Sequence, residues 1–213
     1  MALFLDSADL QDARQAAELG FVVGCTTNPA LLAKAGHADA LAVMKSLCEL
    51  FPGPVFYQLM GHSLEEMRAE AERFLVLREV LGLKIPCTEL GLQFADEVAG
   101  RAPVAVTGVF TPGQAFMAAQ AQASYVIPYV NRVTRFTGDG PGLLAQMAAI
   151  LDSEPTEILA AGIKSPAEAV EALLAGADHV SLPLEVIGGM IANPLTDKAM
   201  ADFEAAWLNR GAE

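Results

Sequence analysis

The chain has 213 residues, 53% hydrophobic and 18% charged, a length that fits one or two domains and a composition that excludes a disordered or low-complexity protein. Its 13 basic residues stand against 26 acidic ones, a net charge of −13, with no basic stripe that would suit a nucleic acid or an anionic membrane surface. An anionic substrate would have to be held by a few local cations against an unfavourable overall field.

In chain order, a first strand is predicted over residues 2–6 and ends at Asp6. No basic stretch precedes it, so no signal peptide is expected and the cytoplasm is the expected location. A second strand, 22–26, ends at Thr26 and runs through Thr27 into Asn28-Pro29, a helix cap followed by a first-turn proline. The third strand, 54–58, ends at Gln58, and Ser63-Leu-Glu-Glu66 opens the next helix as a capping box. The fourth, 81–85, contains Lys84; the fifth, 103–107, ends at Thr107 and precedes a second box, Thr111-Pro-Gly-Gln114. The sixth, 124–128, leads to Tyr129 and Arg132, then to a glycine-rich stretch, Thr134–Gly142, expected to be a flexible loop. The seventh, 157–161, is followed by Gly162, Lys164 and a third box, Ser165-Pro-Ala-Glu168; the eighth is 179–182. Asn193-Pro194 then breaks the chain before a last helix near 195–208, with Leu195, Met200, Phe203 and Trp207 on or near one face.

The strands are almost continuously apolar, as in parallel sheets buried on both faces. Eight β-then-α units predict a single α/β domain, a (β/α)8 barrel over residues 1–192, with 193–213 as a C-terminal helix and tail of the same domain. A doubly wound open sheet is the alternative, but it normally uses fewer strands, and no GxGxxG follows the first one. No apolar run reaches the length of a transmembrane helix. Cys25, Cys48 and Cys87 are odd in number and form no CxxC pair, and His37, His62 and His179 are scattered. Neither a disulfide framework nor a metal site is expected.

Reactive groups of such barrels sit at the C-terminal ends of strands. Lys84 is the sharpest candidate, because it lies inside the apolar run Leu81-Gly-Leu-Lys-Ile-Pro86 with no acidic neighbour. A buried ammonium is costly, its pKa is expected to fall, and the free amine can attack a carbonyl to form a Schiff base. The competing reading is a lysine that snorkels from the strand end. Asp6 suits a general acid/base, or else caps the first helix; Gln58 and Thr107 suit the orientation of a water, or else simply end their strands. Asn28 is first of all a cap. Arg132 is a phosphate partner by chemistry, and Arg135 a surface residue. Lys34, Lys45 and Lys198 fall on helical faces where solvent is the default.

Leu3-Phe-Leu-Asp6-Ser-Ala-Asp9, Gly24-Cys-Thr-Thr-Asn-Pro29, Leu83-Lys-Ile-Pro86, Tyr125-Val-Ile-Pro-Tyr-Val-Asn-Arg132, Leu159-Ala-Ala and Ser181-Leu-Pro183 together resemble the transaldolase family. The likeness is to its short-chain branch, which holds fructose-6-phosphate aldolase and the small transaldolases, and it runs through essentially the whole chain in order. It implies a class I aldolase barrel with Lys84 as the Schiff-base lysine, a chemistry that needs no metal and no organic cofactor. It implies Asp6, Gln58 and Thr107 around a catalytic water and Tyr129 as a further acid/base. Thr26 and Asn28 would contact the donor, and Arg132 would bind a substrate phosphate. Transaldolases of the family carry Glu at the position of Gln58 and Phe at that of Tyr129, so this chain resembles the aldolase branch. The serine that the family usually carries after strand seven is Gly162 here, which leaves the head group of the substrate open. Transfer of a dihydroxyacetone unit between sugars is the first rival, and a non-catalytic binding barrel the remote one. The resemblance also implies a homo-oligomer, a ring of five or a paired ring of ten; the last helix either reaches a neighbour or folds back over its own barrel.

Overall fold

A computed structural model describes residues 1–36, 39–77 and 80–210; His37 and the last three residues of the predicted tail lie outside the described residues. Eight strands alternate with helices: β1 (Ala2–Asp6), β2 (Val22–Thr26), β3 (Val55–Gln58), β4 (Leu81–Pro86), β5 (Val104–Val109), β6 (Tyr125–Pro128), β7 (Glu157–Ala160) and β8 (His179–Leu182). They pair in chain order, and β8 closes on β1 in parallel. The fold is thus a (β/α)8 barrel, and the open-sheet alternative is excluded.

Side-chain alternation along each strand decides what the barrel contains. Phe4, Phe56, Ala105, Ile127 and Leu159 point inward and fill the lower interior. Two residues further along the same strands come Asp6, Gln58, Thr107, Tyr129 and Ala161, which therefore face the upper interior. Large and small residues interlock below them. A Cβ on Gly82 would stand 2.4 Å from the Phe56 ring, and one on Gly24 2.7 Å from Phe4, so both glycines make room for a phenylalanine from the neighbouring strand. The opposite faces of the strands bury Leu5, Val55, Leu83, Ile85 and Val106 against helix residues such as Met44, Leu47, Phe74, Phe94 and Met147. Each such side chain contributes about 1.5–3 kcal/mol on burial.

The three predicted boxes open α4 (Leu64–Phe74), α6 (Pro112–Gln120) and α9 (Pro166–Leu174). Ser63, Thr111 and Ser165 each accept the N–H of the residue three further on. The return bond differs from the usual box: Glu66, Gln114 and Glu168 reach past the cap to the N–H of His62, Phe110 and Lys164. Each helix thereby grips the loop that precedes it, at the end of the barrel where the inward polar residues lie.

The glycine-rich stretch after β6 is not a loop. It forms the end of α7 (Val130–Thr137) and the start of α8 (Gly140–Leu151). Gly138 ends α7 in a left-handed conformation, φ 81°, and Asp139 caps α8 by accepting the Gly142 N–H at 2.7 Å. Asp139 thus organises the turn. Two short helices, α2 (Pro29–Lys34) and α3 (Ala40–Leu50), follow β2; α1 (Leu10–Glu18) and α5 (Glu89–Val98) complete the front of the ring. After β8 come α10 (Leu184–Ile191) and α11 (Pro194–Asn209), capped by Asn193. No residue of α11 is buried; Phe203 and Trp207 remain 67% and 64% exposed. Folding back over its own barrel is therefore not its arrangement. Among the described residues, no helix is long and apolar enough to cross a membrane.

Candidate active site

The C-terminal ends of the strands open into a cavity of about 830 Å³, lined by Asp6, Asn28, Gln58, Lys84, Thr107, Tyr129, Arg132 and Gly162 among others. These are eight of the nine residues singled out in the sequence. The ninth, Thr26, lies behind the wall rather than on it.

Lys84 is 1% exposed, and its ammonium donates to the Thr27 carbonyl at 3.1 Å. Among the described residues no carboxylate lies within 4.0 Å of it. Its neighbour across the β3–β4 pairing is Gln58. The Gln58 side-chain oxygen is buried and has no hydrogen-bond partner, an acceptor held ready for a ligand or a water. The Lys84 nitrogen lies 5.8 Å from the centre of the Tyr129 ring. The Tyr129 hydroxyl accepts a hydrogen bond from Thr107 at 2.8 Å, which ties the two groups together.

Asp6 faces this arrangement from β1. Desolvation raises its pKa above the ordinary 3.8, opposed by the nearby Lys84 charge and by a hydrogen bond from Thr26 at 3.0 Å. Thr26 also shares a 2.7 Å hydrogen bond with Ser181 of β8. The Thr26–Ser181 pair thus supports Asp6 from behind, a role invisible in sequence because the partners lie 155 residues apart. Asn28 is the cap it was read to be, accepting the Ala30 and Leu31 N–H groups, and it is also among the residues lining the cavity. Since the oxygen is occupied, the amide NH2 is the group left to face a ligand.

The mouth is cationic. Lys34, Arg132, Arg135 and Lys164 line it, and among the described residues Asp6 is the single acidic one of the lining. None of these four has a carboxylate within 4.0 Å among the described residues, whereas Arg68, Arg73 and Arg101 elsewhere on the surface do. Lys34 and Arg135, read as solvated in the sequence, belong to this rim. Helix α2 starts at the mouth and is too short to leave it, and Arg135 stands one helical turn beyond Arg132, on the same face of α7. The Arg132 guanidinium lies 5.2 Å from the Tyr129 ring centre. Gly162 has φ +68°, and an added Cβ would meet nothing closer than 3.5 Å. There is room for a side chain there, in a backbone conformation that disfavours one.

Among the described residues, the thiols and the histidines stand outside the cavity lining. Burial keeps the thiols protonated, with Cys48 raised to about 11 and Cys25 and Cys87 raised as well. His62 is exposed on the loop before α4, and His179 lies at the opposite end of the barrel, 3.0 Å from the Glu157 carboxylate.

A family model described as Transaldolase/Fructose-6-phosphate aldolase matches residues 3–210. Relatives named "Probable transaldolase" include one from Maridesulfovibrio salexigens, 39% identical over 97% of this chain and 98% of its own. Another, from Lactiplantibacillus plantarum, is 37% identical over 97% of this chain and 96% of its own. Among solved structures, a putative deoxyribose-phosphate aldolase from Coccidioides immitis is similar with a TM-score of 0.58 at 18% identity, covering 87% of this chain and 82% of that one. Thiamine phosphate pyrophosphorylase from Pyrococcus furiosus is similar with a TM-score of 0.59 at 17% identity, covering 85% of each chain. At such identities the structures speak for the barrel alone.

Proposed function

This chain belongs to the transaldolase/fructose-6-phosphate aldolase family of enzymes, and from that premise we propose that it is a class I aldolase acting through an imine on Lys84. The observation that carries the reading is a lysine buried in the cavity, with no carboxylate of the described residues within ion-pair reach, among Asp6, Gln58, Thr107 and Tyr129. The Lys84 amine adds to the C2 carbonyl of a ketose, and loss of water leaves an iminium that draws electrons from the C3–C4 bond. Deprotonation of the C4 hydroxyl breaks that bond, frees an aldehyde such as glyceraldehyde 3-phosphate, and leaves a dihydroxyacetone enamine on the lysine. Protonation at C3 regenerates the iminium, and water releases dihydroxyacetone. Asp6, whose pKa desolvation raises, and Tyr129 serve as acid and base, while Gln58 and Thr107 orient the water. Asn28 meets the donor, Thr26 holds Asp6, and Arg132 with the Gly162 backbone meets the head group. The iminium is the electron sink, so the scheme uses no cofactor. The proposed setting is the cytoplasm, and the proposed assembly a homo-oligomer of five or ten chains.

A second reading, transfer of the dihydroxyacetone unit to another aldehyde, is favoured by the names of the relatives. The two differ in what the enamine does, and Gln58 and Tyr129 favour release. Incubation with fructose 6-phosphate alone should release glyceraldehyde 3-phosphate as fast as addition of erythrose 4-phosphate drives transfer, or faster. Transfer far faster than release would establish the second reading. Borohydride during turnover should attach one three-carbon or sugar unit to Lys84, found by peptide mapping, and Lys84→Met should abolish both reactions. An adduct on Lys164 would remove the assignment.

A further inference from the structure

Two of the four cations at the mouth, Arg132 and Lys164, sit on different elements. Strand β7 stays tied to the start of α7 only as far as Ala161, which exchanges hydrogen bonds with Pro128 and Val130 at 3.0 Å each. Beyond it the chain turns away through Gly162, φ +68°, and Lys164 lies on an exposed loop. One side chain spans the gap. The Glu168 Oε1 accepts the Asn131 amide at 2.7 Å, and its Oε2 accepts the Lys164 backbone N–H at 2.8 Å. Asn131 directly precedes Arg132 on α7 and itself lines the cavity.

We infer that Glu168 is a positioning residue for the anionic head group of the substrate, a strut that sets Arg132 and Lys164 at a fixed separation across the mouth. This rests on the reading of Arg132 as the head-group ligand. The chemistry of the strut explains why a carboxylate stands here. It must accept two N–H donors on opposite sides, one on each oxygen, and a glutamine offers one acceptor oxygen only. Glu168 takes the backbone N–H of Lys164, and no carboxylate lies within 4.0 Å of that lysine's ammonium among the described residues, so the positive charge stays available to a ligand. The helix-capping function is separable, because Ser165 performs it through its own bond to the Glu168 N–H at 3.2 Å.

The test compares a phosphorylated with a neutral substrate: cleavage of fructose 6-phosphate against aldol addition of dihydroxyacetone to glyceraldehyde. Glu168→Ala should raise KM for fructose 6-phosphate about fivefold more than it raises KM for glyceraldehyde, the scale of one hydrogen bond lost in the phosphorylated complex that the neutral one does not make. Glu168→Gln, which keeps the size and one acceptor, should fall between wild type and alanine, and Asn131→Ala should resemble it. The double variant Asn131→Ala/Glu168→Ala should be no worse than Glu168→Ala alone. Ser165→Ala should lower Tm and leave the ratio of the two KM values as in the wild type. Equal effects of Glu168→Ala on both substrates, or no effect on fructose 6-phosphate where Arg132→Ala has a large one, would overturn the strut. If Arg132→Ala also leaves the KM ratio unchanged, the head-group reading itself falls, and the inference with it.

Discussion

The Asp6 carboxyl is drawn two ways, by desolvation that disfavours its charge and by Lys84 and Thr26, which favour it, and desolvation is the larger. The consequence for stability has a definite sign. A carboxyl whose native pKa is raised contributes its full share below the unfolded value, near 3.8, and loses it as pH rises through the native value. Asp6→Asn removes that loss. Melting curves should therefore show the variant as stable as the wild type or more so at neutral pH, with the difference vanishing in acid, while turnover collapses across the range. A variant less stable at neutral pH would mean that the contact with Thr26 outweighs desolvation. Legibility also divided at this scale. Lys84 announced itself in sequence, since a charge inside an apolar strand needs a reason. Thr26 did not: its part depends on Asp6 and Ser181, brought to it only by closure of the barrel.

At the scale of elements, helix starts were readable because a cap is a local transaction between residues three apart. What each helix then grips was less so. The carboxylates and the glutamine of the three boxes reach beyond their caps to the preceding loop, a choice set by where the strand delivers that loop. The stretch after β6 misled for a related reason: glycines at 138, 140 and 142 suggest freedom, yet one ends a helix and the others begin the next. Gly162 is a different case, a left-handed residue with space beside it. Gly162→Ser should lower stability by about 1 kcal/mol through its backbone conformation. It should also lower KM for fructose 6-phosphate by adding a hydroxyl next to Arg132 and Lys164, the cations proposed to meet the head group. A lower Tm with no gain in KM would show that the added hydroxyl does not reach the head group.

For the whole molecule, the apolar residues of α11 and of the N-terminal end of the barrel are the point of interest. Met200, Phe203 and Trp207 recur along α11 at spacings of three and four, and none is buried. At the N-terminal end of the barrel, Leu3, Phe21, Val23, Ile187 and Ile191 line a groove of about 390 Å³. Exposed apolar area of this kind is uncommon on a monomer. Assembly through α11 would cover it, against the repulsion of −13 charges per chain. Light scattering should give the mass of five or ten chains, and truncation after Asn193 should reduce it. A monomeric native mass would refute the assembly, and an unchanged mass after truncation would leave the ring but exclude α11 as its cause.

The sequence by itself determined the eight strands, their burial on both faces and the lysine among them, because apolar runs, caps and a misplaced charge are local signals. It also settled which end of each strand bears polar groups. Only the tertiary structure decided that Thr26 stands behind Asp6, that Lys34 and Arg135 join Arg132 and Lys164 around one mouth, and that α11 leaves its own barrel uncovered. Those facts concern partners far apart in the chain. Their relative placement comes from closing the barrel, which brings strands from opposite ends of the sequence side by side and which no local pattern records.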